Sequence, residues 1–343
     1  MDVLDDWLRV LGAAGVITAR LQMPSRWGMQ VPPRDDVMFH IITEGTCWLR
    51  RAGEGAVQLY QGDMVLLPQG LGHDLLHHHA AEAEPMDRAL ARMGASKPEQ
   101  PSATLVSGFY KLDAGLAAPM FRSLPPVVHF TASRVRANPA FFSQLTLLTA
   151  ELDRPGPGSA ALVRHLLDAL FVYVNREWSV EARVGGFCWL AALRDASLSR
   201  ALGRMHAAPS APWTVATLAR AAGTSRATFA RRFTMFMGEP PLGYLTRWRM
   251  VLAAKMLREG DTSVAEVAKT VGYDSEFAFS RAFKRHRGVA PTAFRRGSQL
   301  LAATGQPAPE MATPMGPDAD REYVSVFGAS GITPTPRPRG GFR

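Results

Sequence analysis

The chain has 343 residues, a net charge of +9, 47% hydrophobic and 20% charged residues, and two cysteines. Such a length predicts about two domains with enough apolar material for buried cores. It offers no run of the roughly 18–20 apolar residues a membrane helix needs, and Cys47 and Cys188 are too few for a disulfide framework, which excludes helical membrane proteins and small secreted scaffolds.

The two thiols read as small buried hydrophobes in a reducing compartment. The opening "MDVLDDWLRV" is acidic and lacks the basic region of a signal peptide, so the expectation is a cytoplasmic chain. A helix is predicted over Val3–Leu11. The chain then reads as strands to about Arg136. "DVMFHIITEGTCWLR" (36–50), "AVQLYQGDMVLLP" (56–68), "TLVSGFYKL" (104–112) and "PPVVHFT" (125–131) are short β-rich runs broken by Gly and Pro. Between them, residues 80–103 are polar with no strand pattern and are expected to form a long mobile loop with room for a helical turn.

Residues 62–73 place Gly62, Pro68, Gly70 and His73 at fixed spacing: a turn at Gly62-Asp63, a buried strand Met64–Leu67, a tight turn, and a strand that carries His73 inward. This pattern resembles the second motif of the cupin barrels. The resemblance implies that His73 stands at a metal-ligand position, with two histidines and a glutamate on an earlier strand pair. Here the earlier motif ends at Gly45, the glutamate position falls on Met38, and "QVPPRDD" holds no histidine. Only His40 is near. The reading is a barrel with no metal or cofactor, in which His40, Trp48 and His73 face a pocket for a small-molecule or chemical effector. Zn or Fe needs three or four well-placed ligands. A site from His40, His73 and His77 is the alternative that would make the chain a cupin metalloenzyme, a dioxygenase or isomerase with a DNA-binding appendage. His77, His78 and His79 run into the loop and are expected to be exposed.

Helices follow. Asn138-Pro139 is an N-cap and N1 pair opening "AFFSQLTLLTAEL", and "RPGPGS" ends that helix. Ser159 is read as the cap of the next. There Leu162, Leu166, Leu170, Val174 and Trp178 form a stripe ready for an intramolecular core or a dimer interface. One more helix is predicted around Trp189–His206.

The positive excess sits in one segment. Asp195–Gly297 holds 17 basic and 7 acidic residues, a net +10, whereas the rest holds 22 and 23, a net −1. This asymmetry points to a polyanion partner for that segment. It also contains a repeat: "VATLARAAGTSRATFARRF" (215–233) lies over "VAEVAKTVGYDSEFAFSRAF" (264–283). Val215, Leu218, Ala219 and Ala222 share the spacing of Val264, Val267, Ala268 and Val271, one apolar helical face each. Gly223 and Gly272 end these helices at the same place. Thr214, Ser225 and a Ser263–Glu266 capping box mark helix starts, as does Asp274 or Ser275. Phe229 and Phe233 pin one second helix; Phe279 and Phe283 pin the other. Two short helices joined by a Gly turn make a helix-turn-helix, whose second helix fits the DNA major groove. Between the copies "PPLGYLTRWRMVLAAKMLREG" reads as one long helix, with Leu245, Trp248, Leu252 and Met256 on its buried side.

"LARAAGTSRATFARRF", "YLTRWRMVLAAKMLRE" and "VAEVAKTVGYDSEFAFSRAFKRHRGVAPTAFRR" closely resemble the DNA-binding domain of the AraC/XylS family. The resemblance covers about Asp195–Gly297 and implies a regulator, activator or repressor, with two reading heads on successive major grooves. Its base-facing positions fall on Ala227, Ala230 and Arg231 in the first head and Glu276, Phe277, Ser280 and Arg281 in the second. Arg226, Arg232, Lys284, Arg285 and Arg287 are expected at phosphates. Thr228 and Ser275 complete the DNA-facing set.

A cupin in front of such a domain resembles a recognised regulator architecture. The fold class expected is α+β: a cupin-like β-barrel (1–136), a helical linker and dimerisation region (137–194), an all-α domain with two helix-turn-helix units (195–297), and a disordered Pro/Gly-rich tail (298–343). The partners expected are double-stranded operator DNA, the effector, RNA polymerase and a second copy in a homodimer, with no membrane. A nucleoid-type protein without sequence preference is a third reading.

Overall fold

Strand-forming residues fill the first part of the chain. The computed structural model describes residues 14–94, 98, 100–112, 121, 124–181 and 189–304, together with Val3 and Asp6. Among these, the strands are β1 (Ala14–Met23), β2 (Gly28–Val31), β3 (Val37–Arg50), β4 (Val57–Tyr60), β5 (Met64–Leu67), β6 (His73–Leu76), β7 (Glu84–Pro85), β8 (Ala103–Lys111) and β9 (Val128–Phe130). The described residues bear out the cupin-like barrel, although β1 and β2 were not among the strands read from the sequence.

The long β3 serves both layers of the barrel. Its first half pairs with β8 and β5, and its second half pairs with β4 and β6. The register shifts between Ile42 and Glu44, and Gly45 takes φ 70°. A Cβ at Gly45 would lie 2.1 Å from the Ser102 carbonyl oxygen, so this corner accepts only glycine. Alternation then sorts the side chains. Met38, Ile42, Cys47 and Leu49 join Leu59, Val65, Leu67, Leu75, Leu105 and Phe109 in the barrel interior. Val37, Phe39 and Ile41 face the other way, onto helices. The β3–β5–β8 layer is therefore covered on both faces, which is why β5 and β8 show no polar alternation.

The Gly62-Asp63 turn has a second task. Asp63 is buried and accepts hydrogen bonds from the backbone N–H groups of Tyr60 and Ala132 and from His129 Nε2. It ties the turn to β9 and to the start of the first helix after the barrel.

The described residues of 80–103 do not form an open loop. They carry β7 and α1 (Met86–Gly94), whose Met86, Ala89, Leu90 and Met93 pack against the barrel interior cluster. Those four residues are spaced 0, 3, 4 and 7, a short apolar stripe hidden in polar composition.

After the barrel come α2 (Ala132–Ala137), α3 (Pro139–Asp153), α4 (Ser159–Glu181), α5 (Trp189–Arg194) and α6 (Ala196–Ala207). Asn138 caps α3, accepting from the N–H groups of Ala140 and Phe141. Ser159 does not cap α4 in that way. It is the first helical residue, and its hydroxyl bonds the Gly156 N–H and the Glu151 carboxylate. In the α4 stripe, Leu166, Leu170 and Val174 are buried in the core beneath β1 and β8, with Trp178 packed against it, while Leu162 is exposed. From Leu166 to Trp178 the stripe serves the intramolecular core. The single helix expected over Trp189–His206 is two, because Asp195 caps a new start by accepting from Ser197 and Leu198 N–H. The expected Val3–Leu11 helix lies outside the described residues apart from Val3 and Asp6, as does Cys188. The chain divides into residues 1–299 and 300–343. Of the second unit only the helical residues 300–304 are described, so most of the expected disordered tail lies outside them.

Candidate nucleic-acid interface and the buried histidine pair

The basic segment folds as two similar units. The first is α7 (Val215–Ala222) and α8 (Arg226–Met237), the second α10 (Val264–Thr270) and α11 (Glu276–Arg287). Thr214 with Thr217, and Ser263 with Glu266, form reciprocal capping boxes at the starts of α7 and α10. Ser225 caps α8 through the Thr228 N–H, and Ser275, not Asp274, caps α11 through the Ala278 N–H. Gly223 (φ 71°) and Gly272 (φ 83°) make the turns. The buried Phe229–Phe233 and Phe279–Phe283 pairs both have ring centroids 5.6 Å apart, so the copies match in packing as well as pattern.

One helix belongs to both cores. From α9 (Pro241–Glu259), Tyr244, Leu245, Trp248 and Val251 enter the first, and Met250, Ala253, Ala254 and Leu257 enter the second. The expected Leu252 and Met256 only flank these cores. Arg249 adds a brace. Its Nε donates to the Pro209 carbonyl at 2.7 Å and its Nη2 to the Ala211 carbonyl at 3.0 Å, while its guanidinium lies 6.0 Å from the Tyr273 ring. Arg249 thus fastens the loop before the first unit against the turn of the second. A cleft of about 630 Å3 opens there, lined in part by Trp213, Arg249, Lys269 and Glu276. Sequence reading missed Arg249, because nothing in its spacing separates a brace from a solvated arginine.

The outer faces of α8 and α11 carry the residues singled out above. Arg226, Ala227 and Arg231 are exposed on α8, with Thr228 and Ala230 partly covered. Thr228 is engaged with Ser225 at the cap. Arg232, expected at a phosphate, pairs instead with Asp195, the residue that caps α6. On α11, Glu276, Phe277, Arg281, Lys284 and Arg285 are exposed and Ser280 is partly covered. The Arg281 guanidinium lies over the Phe277 ring, 5.7 Å from its centroid. Arg287 is partly buried.

The barrel brings His40 and His73 together and leaves the other candidates apart. Both are buried, with Nε2 atoms 2.8 Å from each other. His73 Nδ1 sits 3.0 Å from the Leu71 carbonyl, which can only accept, so that nitrogen carries the proton. His73 Nε2 is then an acceptor, and His40 Nε2–H donates to it. His40 Nδ1 accepts from the Ser107 hydroxyl at 2.8 Å. Burial holds both imidazoles below their ordinary pKa, with His73 adding to the effect on His40. Two neutral rings in one proton order fit this geometry. Trp48 lies on the opposite face of β3, against His79, with ring centroids 5.2 Å apart. His77 is held at Trp27, its Nδ1 2.6 Å from the backbone carbonyl oxygen. Among the described residues no three His, Cys, Asp or Glu side chains are placed to hold a metal ion. A resident cupin metal does not fit this chain: each histidine nitrogen facing the interior is spent on the other, and Met38 stands where a carboxylate belongs. Cys47 is buried in the same interior, which pushes its thiol up to about 12 and keeps it protonated.

No helix among the described residues is long and apolar enough to cross a membrane. A family model described as a cupin matches residues 2–180, and one described as a helix-turn-helix domain matches 218–297. An AraC-like transcription regulator of Streptomyces lividans is 34% identical over 86% of this chain and 98% of its own. The HTH-type transcriptional regulator AlkR of Acinetobacter baylyi is 28% identical over 79% of this chain and 92% of its own. The RCS-specific activator RclR of Escherichia coli is 27% identical over 88% of this chain and all of its own.

Proposed function

This chain belongs to the AraC-like transcription regulators that join a cupin domain to an AraC-type DNA-binding domain, and from that premise we propose how it works. Its two units read successive major grooves of one operator, about one helical turn apart. The observation that carries this reading is the pair of matched recognition helices built on one shared helix, each presenting an exposed arginine at the same position, Arg231 and Arg281. Each arginine suits a guanine through paired bonds to O6 and N7. Ala227, Ala230, Glu276, Phe277 and Ser280 meet neighbouring base edges. Arg226, Lys284 and Arg285 meet phosphates, with Thr228 and Ser275 holding the helix starts against the backbone.

The barrel is the sensing domain in this account, and the cytoplasm is where the chain meets DNA. His40 and His73 are the polar groups an effector entering the barrel would find. Trp48 lies outside that interior, so it takes part only in a second, outer surface beside His79. A homodimer and a contact with RNA polymerase complete the reading. The test is a gel-shift titration on duplexes selected from a random library. Bound duplexes should share two conserved blocks, and Arg231→Ala and Arg281→Ala should each relax one block. Enrichment of no sequence would overturn the reading.

A further inference from the structure

We propose that the two heads read different chemistry, and that the second reads a thymine within two base pairs of a guanine through Phe277 and Arg281. This rests on the DNA-reading role of α11 and goes further by naming what it reads. Phe277 is 71% exposed, the most exposed of the large apolar side chains among the described residues. Single exposed rings are ordinary on a protein surface, but docking this one against an apolar point of a partner recovers hydrophobic free energy. Its neighbours tell which partner. Phe142 and Leu147, also exposed, sit on a stretch of α3 without a charged residue before Glu151. Phe277 instead sits at the start of α11, next to Glu276 and under the Arg281 guanidinium, on a helix whose last turn carries Lys284 and Arg285, where the fitting partner is a polyanion with apolar points. The thymine 5-methyl is the apolar point of the major groove, and phenylalanine is a side chain suited to it.

Phe277 and Arg281 are four residues apart and share one face of the helix. The helix rises about 6 Å over four residues. A base pair rises about 3.4 Å, so the methyl lies one or two base pairs from the base Arg281 reads. The ring also underlies the guanidinium at 5.7 Å, which orders its fork before DNA arrives. The first head differs at this point, as it does where Arg226 stands against Glu276 and Ala230 against Ser280. Ser225, Ala227, Phe229 and Arg231 align with Ser275, Phe277, Phe279 and Arg281, so the arginine is kept and the ring is replaced by a methyl group. The two half-sites should therefore be unequal, which would orient the protein on its operator.

The experiment uses the full chain and a duplex selected from a random library. Each thymine in the two blocks is replaced in turn by deoxyuridine, which removes only the 5-methyl. One thymine near a guanine should give about fourfold weaker binding, the worth of one buried methyl group. With Phe277→Ala that penalty should fall toward unity, and with Arg281→Ala preference for the neighbouring guanine should be lost. Neutral replacement at every thymine, or a penalty unchanged in Phe277→Ala, would overturn the proposal while leaving sequence-specific binding intact. Failure to select any sequence would overturn both.

Discussion

Arg281 and Lys284 lie one turn apart on α11, yet base reading is proposed for the first and phosphate contact for the second. Arg281→Ala should cost about 1–3 kcal/mol of binding and relax preference at one base pair, whereas Lys284→Ala should weaken all sequences alike and lower the salt slope by about 1. Equal losses on every duplex for both variants would show that neither reads bases. Titratable groups give a second prediction at this scale. His206 stacks on Trp248 with ring centroids 3.8 Å apart, and burial lowers its pKa from 6.5 to about 3. Burial also lowers His40 and His73. Such groups take up a proton only on unfolding, so their stability is whole above about pH 6.5 and falls below it. For His206 the loss is about 1.4 kcal/mol per pH unit between the unfolded value and about 3, and His40 and His73 act in the same direction. Melting of the full chain between about pH 6 and about pH 4.5 should steepen with acidity, because both rings and His206 lie below the unfolded value. His206→Phe should make the fall shallower by one proton, and an unchanged slope would contradict the assignment. Placement at this scale was legible only where a motif fixed it, as for the exposed Arg231 and Arg281 and the inward His73. The contact between His40 and His73 was not legible, because it depends on how β3 and β6 close across the barrel.

At the scale of elements, the two turn glycines carry unequal constraints. Gly223 needs only a left-handed backbone, since a Cβ there would meet the Arg200 side-chain tip at 3.4 Å. Gly223→Ala should cost about 1–2 kcal/mol. At Gly272 a Cβ would also lie 2.7 Å from Ser210 Cα and 2.8 Å from its carbonyl oxygen, so backbone must move. Gly272→Ala should therefore cost clearly more in urea denaturation of the full chain; equal costs would contradict the close approach. The caps, turns and faces of α7, α8, α10 and α11 were readable because local chemistry sets them. The barrel strands were readable where β-branched runs met Gly or Pro. α1 was overlooked because its four-residue stripe is diluted by charge, and the break at Asp195 because one capping aspartate interrupts an otherwise continuous helical pattern.

The whole molecule adds a geometric demand. Arg249, the shared α9 and the close approach at Gly272 hold the heads in one relation. Inserting five base pairs between the selected blocks turns one block about half a helical turn away. Binding should then weaken by more than about 3 kcal/mol, as several contacts worth about 1–3 kcal/mol each are lost. Arg249→Ala should soften the penalty for a one-base-pair insertion without changing which bases are preferred. The order of barrel, helices and doubled reader was visible in the sequence because the repeat and the charge imbalance are global signals. The fate of the α4 stripe was not, because composition does not say whether a helix buries its apolar face on its own chain or on another.

The most direct test of the central claim is the ratio of affinities of the full chain for a selected duplex and for a scrambled duplex of the same composition, measured near physiological salt. The expected ratio is about a thousandfold or more, falling when either Arg231 or Arg281 is replaced. A ratio near unity, with both duplexes showing the same dependence on salt, would contradict it.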